Sequence, residues 1–132
     1  MSPEIAIAVF GLITFATIGF EVMFTYATQG IGFGFSAQRA VLEKTGFALR
    51  VERVYRNQVE SAAYIVPALA AAALSGLSSS EALATCLIIV LGRTGFCLTY
   101  YTGITFIRVP FFAMGSFGSL YLIYLVLTGG AA

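Results

Sequence analysis

The sequence predicts an all-α membrane protein, a bundle of four transmembrane helices, and three observations carry that prediction. Of its 132 residues, 59% are hydrophobic and only 10% are charged, which lies outside the range of ordinary soluble domains. The charges separate long apolar runs, and about 20 apolar residues are enough for one helix to cross a bilayer. Four such spans leave about 50 residues over, too few for a second, soluble domain. Composition also excludes function classes. A formal net charge of +1 argues against a polybasic nucleic-acid binder. The absence of histidine removes the usual neutral-pH base and the commonest metal ligand. Aspartate is absent too, so acid or base chemistry rests on six glutamates, seven basic residues, seven tyrosines, two cysteines or a ligand.

The first helix is predicted over about residues 4–28, with Pro3 at its start, where a missing N–H costs nothing, and with Glu21 inside it. It does not read as a signal peptide, because it lacks a basic leader and its apolar stretch is too long. The following connection, about residues 29–45, contains Gly30, Gly32 and Gly34; their spacing is not a dinucleotide fingerprint and no strand precedes them, so a flexible loop is expected. The second helix is expected over about 46–77. Its early turns carry Arg50, Glu52, Arg53, Arg56 and Glu60, and an alanine-rich stretch, Ala68 to Ala73, follows. Ser78 and Glu81 have the spacing of a capping box, which predicts a tight turn into a third helix over about 80–101. Residues 102–109 form the next connection, and Pro110 opens a fourth helix over about 110–128.

With four spans, both termini and the Ser78–Glu81 turn share one side of the membrane, which holds only Glu4 and Glu81. All seven basic residues (Arg39, Lys44, Arg50, Arg53, Arg56, Arg93 and Arg108) belong to the other side or to the adjoining membrane half. The positive-inside rule makes that side cytoplasmic, with the first and third loops inside and both termini outside. Counted at about 1.5 Å per residue, Glu21, Arg53, Arg56, Asn57, Glu60, Arg93 and Tyr100 converge in depth, with Arg108 at the mouth. Offsets of 3, 4 and 7 place Arg53, Arg56 or Asn57, Glu60 and Tyr64 on one stripe. A charge facing lipid at the helix centre costs about 2.5–3.5 kcal/mol, so these groups are expected to face a partner helix or a wet cavity. They either pair with one another and snorkel or, because the arginines outnumber the acids, leave cationic capacity for an anionic ligand.

Gly92 with Gly95, Gly115 with Ser119, and the alanine run permit close helix contact. Both contact within one subunit and a homo-oligomer with sites between subunits are compatible with them. Cys86 and Cys97 lie about 16 Å apart along one helix, too far for a disulfide, and no metal site is expected.

Arg53-Val54-Tyr55-Arg56-Asn57-Gln58-Val59-Glu60, an R-x-x-R-N-x-x-E pattern at the start of a second membrane helix, resembles the signature of the MAPEG family, the membrane-associated proteins in eicosanoid and glutathione metabolism. Gly92-Arg93, Tyr100-Tyr101 and Arg108-Val109-Pro110 resemble that family's third-helix and loop signature. Gly34 to Arg39 is similar to a loop of its bacterial members. The resemblance implies a homotrimer in a bacterial inner membrane, with glutathione as co-substrate bound between subunits. It implies glutathione contacts at Arg53, Arg56, Asn57, Glu60, Arg93 and Tyr100, thiolate stabilisation by Arg108, and a neighbour-subunit contact by Arg39. The chain departs from the family pattern at Phe96, Phe111 and Phe112, where hydroxyl or imidazole groups are lost, and at Pro67, seven residues beyond Glu60.

The chemistry of the residues agrees with that implication. Arginine forks suit the two carboxylates of glutathione, Glu60 suits its ammonium, and a guanidinium favours the thiolate, which is the nucleophile. The function expected is a glutathione S-transferase-like enzyme, with hydroperoxide reduction as a second activity, acting on a lipophilic substrate from the membrane lipid. Two alternatives stand beside it: a non-catalytic lipid-binding or scaffold member of the same family, and a small multidrug exporter using Glu21, which the one-sided basic charge disfavours. An arginine of the second helix is the expected partner of Glu21.

Overall fold

The structure, a computed structural model, describes residues 1–38 and 40–129. The described residues are helical, without strands, in the order α1 (Pro3–Gln29), α2 (Ile31–Phe35), α3 (Gly46–Leu74), α4 (Ser80–Thr102) and α5 (Thr105–Leu127). Three of these are long and apolar enough to cross a membrane: α1, α4 and α5. In α3 the five charged residues between Arg50 and Glu60 leave an uncharged stretch over 61–74, shorter than the roughly 20 residues that a span requires.

Local chemistry explains where the helices end. Gly76 and Gly103 adopt left-handed φ values of 65° and 81°, which glycine reaches without a Cβ penalty. Each lets the next amide fold back, Leu77 N–H to Ala72 and Ile104 N–H to Thr99, satisfying terminal carbonyls. The first reversal ends α3 at Leu74 rather than near residue 77. The second leaves only Gly103 and Ile104 between α4 and α5, so α5 begins at Thr105 and not at Pro110. Pro110 lies in the second turn, where it removes the one backbone donor that would reach Phe106.

Two further expectations change. Ser79, not Ser78, caps α4 by accepting the Ala82 N–H at 3.3 Å, so the reciprocal Ser78–Glu81 box does not form. Glu81 accepts instead from the Tyr121 hydroxyl at 3.1 Å. The first connection is not wholly irregular, because the short α2 places Phe35 against Tyr26, their rings stacked 6.3 Å apart.

The main core unites one end of the bundle: Ala6 and Phe10 of α1, Ile65, Leu69 and Ala72 of α3, Cys86, Ile89 and Val90 of α4, and Leu122 and Leu125 of α5. Small residues make that closeness possible. A Cβ at Gly92 would lie 2.7 Å from the Met114 side chain and 2.8 Å from the Phe111 carbonyl, so α4 and α5 meet almost backbone to backbone. The glycines thus serve contact within the chain. Toward the other end the core narrows to Val54, Phe96 and Cys97, and aromatic and charged groups hold the helices apart. Both cysteines are buried and free.

Candidate functional site

At the end where α1 and α4 finish and α3 and α5 begin, an open cleft of about 210 Å³ is lined by Arg53, Arg56, Asn57, Glu60, Phe96 and Tyr100. The first four come from one stripe of α3, at the 3- and 4-residue offsets that share a helix face. The last two come from the facing stripe of α4. Arg108, in the first turn of α5, places its guanidinium carbon 4.6 Å from the centre of the Tyr100 ring, a cation–π distance. Five of the predicted glutathione contacts therefore share one cleft, with Arg108 at its edge.

Arg93 stands elsewhere. It is fully buried, behind Asn57 rather than in the cleft. Its Nε and Nη2 donate to Gln58 Oε1 at 3.1 and 2.9 Å, and Nη2 also donates to Asn57 Oδ1 at 2.8 Å. The guanidinium lies 4.9 Å from the Phe96 ring centre and 6.0 Å from that of Phe112. Phe96 thus forms a wall between the buried cation and the cleft. Arg39 lies outside the described residues.

Mutual pairing within the arginine stripe is not what is seen. Arg56 Nη2 pairs with Glu52 at 2.9 Å, and Lys44 lies 3.4 Å from Glu52 and 3.5 Å from Glu21. The partner of Glu21 is therefore a loop lysine, not an arginine of α3. That arrangement ties α1, the loop and α3 together beside the cleft. Arg53 and Glu60 have no ion-pair partner among the described residues. Around the cleft Arg53, Arg56, Arg93 and Arg108 face Glu52 and Glu60, so the site carries a surplus of positive charge.

One turn beyond Glu60 the same face of α3 changes character. Tyr64 bonds Ser116 through their hydroxyls at 2.9 Å, and both line an almost wholly apolar groove of about 430 Å³ with Phe112, Phe117, Leu120 and Ile123. Phe96 and Phe112, ring centres 5.8 Å apart, stand between groove and cleft.

The sequence reading missed Gln58 as a functional element. The signal was present: Val51, Val54, Gln58, Ser61 and Ile65 follow a 3–4 periodicity and are all buried, so the glutamine occupies a core position. The pairing of Glu52 with Arg56 follows the i, i+4 rule and was equally available.

A polar, cation-rich cleft thus lies beside an apolar groove in a bundle of membrane helices. A model of the MAPEG family matches residues 5–128, nearly the whole chain, and the chain belongs to that family. It is an integral membrane protein. No curated protein and no solved structure matches it.

Proposed function

We propose that the protein is a membrane-embedded, glutathione-dependent transferase that activates the glutathione thiolate against lipophilic electrophiles. The observation that carries this reading is the junction at Phe96 and Phe112 of a cationic cleft with an apolar groove. Arg53 and Arg56 suit the carboxylates of the tripeptide, because a guanidinium fork binds a carboxylate bidentately. Glu60, which has no ion-pair partner among the described residues, suits the ammonium. Arg108 favours the ionised sulfur. The thiol gives up its proton to solvent, sulfur attacks the electrophilic carbon, and the electron pair of the broken bond leaves with the displaced group or on an opened ring oxygen. With a hydroperoxide, the thiolate takes the terminal oxygen as the O–O bond breaks, the alkoxide takes a proton from solvent and leaves as an alcohol, and a second glutathione converts the resulting sulfenic acid to disulfide and water.

The cleft is smaller than the roughly 300–1,000 Å³ usual for ligand pockets and open on one side. That supports completion by a second copy of the chain, in keeping with a homotrimer. Basic residues concentrated at the cleft end support a cytoplasmic orientation for it, and because Arg53, Arg56 and Glu60 line the cleft and need not face lipid, α3 can serve as the fourth membrane helix despite its short uncharged stretch.

The test is calorimetry and thermal denaturation of the purified protein in detergent with glutathione. The expected result is saturable heat and stabilisation reaching about 2.7 kcal/mol when glutathione stands a hundredfold above its Kd. Neither heat nor stabilisation at millimolar glutathione would remove the enzyme reading and favour a non-catalytic lipid-binding member of the family.

A further inference from the structure

Arg93 is a guanidinium with no accessible surface, and no carboxylate lies within ion-pairing distance of it among the described residues. Removing an ion from water costs several kcal/mol even after relaxation, so what holds it in place is informative. Its stem passes over Gly115 of α5, where a Cβ would lie 2.7 Å from Arg93 Cδ; only glycine leaves room for it. Its Nε and Nη2 are taken by two neutral amides of α3, while Nη1 is buried without a hydrogen-bond partner among the described residues. Gln58 Oε1 accepts from both Nε and Nη2, and Asn57 Oδ1 accepts from Nη2.

These bonds have a direction. A guanidinium can only donate, so the oxygen of each amide must face it and each amide nitrogen must point away. For Gln58 the consequence is visible: Nε2 donates to Thr14 Oγ1 at 3.0 Å, and Thr14 in turn donates to the Phe10 carbonyl at 2.9 Å. The polarity of this chain is therefore set from Arg93 across α3 to the α1 backbone, without a free choice at any link. Asn57 is held from the same guanidinium, but it is half-buried and lines the cleft, and its Nδ2 has no partner among the described residues.

We infer that Arg93, backed by Gln58 and Thr14, is a positioning residue that holds the Asn57 side chain with its NH2 group toward the cleft, so that Asn57 binds an acceptor. Resting on the glutathione reading above, this makes the group met by Asn57 a carboxylate, a peptide carbonyl or the thiolate, and excludes the ammonium, which Glu60 takes. Arg93 acts through Asn57 and touches no ligand.

A double-substitution cycle tests it, with glutathione affinity measured by calorimetry on the full-length protein in detergent and Tm measured alongside. Asn57→Ala should weaken binding about tenfold, the loss of one hydrogen bond to a charged ligand. Arg93→Gln should weaken it by a similar factor, because the freed amide can turn. Together they should weaken it no more than Asn57→Ala alone; losses that multiply would overturn the proposal. Asn57→Asp keeps the acceptor for Arg93 and removes the donor, so it should hold Tm while losing at least tenfold in affinity. Unchanged affinity in that variant would show that Asn57 is no donor. If the unsubstituted protein is silent toward glutathione, the functional reading fails, and the Tm values decide the rest: shifts for Arg93→Gln and Asn57→Ala that simply add would show that the two residues are uncoupled.

Discussion

Replacing Arg108 with alanine should slow glutathione conjugation in a manner that disappears at high pH. The Arg108 guanidinium carbon lies 4.6 Å from the centre of the Tyr100 ring, so a sulfur at the rim of that ring sits about 5 Å from the charge. At an effective dielectric near 20, that separation corresponds to about 3 kcal/mol. Arg108 is only half-buried, and solvent screening reduces the usable part to about 1.4–2.7 kcal/mol, or about one to two pKa units. A free thiol with a pKa of about 8.5 is only about 3% ionised at pH 7. Lowering it by one unit raises the thiolate to about a quarter, and by two units to about three quarters. Arg108→Ala should therefore lower kcat/KM about 8- to 25-fold at pH 7, and the two rates should converge near pH 9.5, where both thiols are ionised. The assay is a pH–rate profile with a model lipophilic electrophile in detergent, together with thiolate absorbance of the bound tripeptide. A deficit of the same size at every pH would refute thiolate stabilisation and leave Arg108 a positional contact. Unchanged activity would remove it from the site.

Two predictions concern the scaffold. Gly115→Ala puts a methyl 2.7 Å from Arg93 Cδ and should destabilise the bundle by about 1–3 kcal/mol through overpacking, read as a fall in Tm; an unaltered Tm would count against the close approach. Ser79→Ala should cost about 1 kcal/mol by removing the α4 cap, whereas Ser78→Ala should be neutral; the reverse order would restore the Ser78–Glu81 box.

What the sequence made legible followed helical period and hydropathy. The stripe Arg53, Arg56, Asn57 and Glu60 could be read as one face because the offsets of an α-helix are fixed, and its position on α3 set its depth. The facing contributions of Phe96 and Tyr100 were equally regular. What escaped were choices between near-equivalent partners. Nothing in the spacing says that Lys44, in an irregular loop, reaches Glu21 before any arginine does. Nor does composition distinguish Ser78 from Ser79 as a cap, since a one-residue shift in helix start exchanges their roles. The surroundings of Arg93 are not legible for a further reason: the resemblance implies a ligand contact there, and nothing in the spacing marks the neutral Gln58 as the acceptor of its guanidinium.

The division between stability and recognition in this chain runs along α3. Consecutive residues on a helix point about 100° apart, so Asn57 and Gln58 face different neighbours although they adjoin in sequence. Val51, Val54, Gln58, Ser61 and Ile65 bury themselves against the other helices, while Arg53, Arg56, Asn57 and Glu60 line the cleft. Arg53 and Glu60 are exposed and have no ion-pair partner among the described residues, so substituting either one breaks no internal ion pair of the fold. Arg93 sits where the two stripes adjoin and bonds one residue of each. A buried guanidinium held by neutral amides contributes little net stability, because its desolvation offsets most of what the hydrogen bonds return. Its placement is therefore better explained by the orientation it imposes on Asn57 than by the packing it provides.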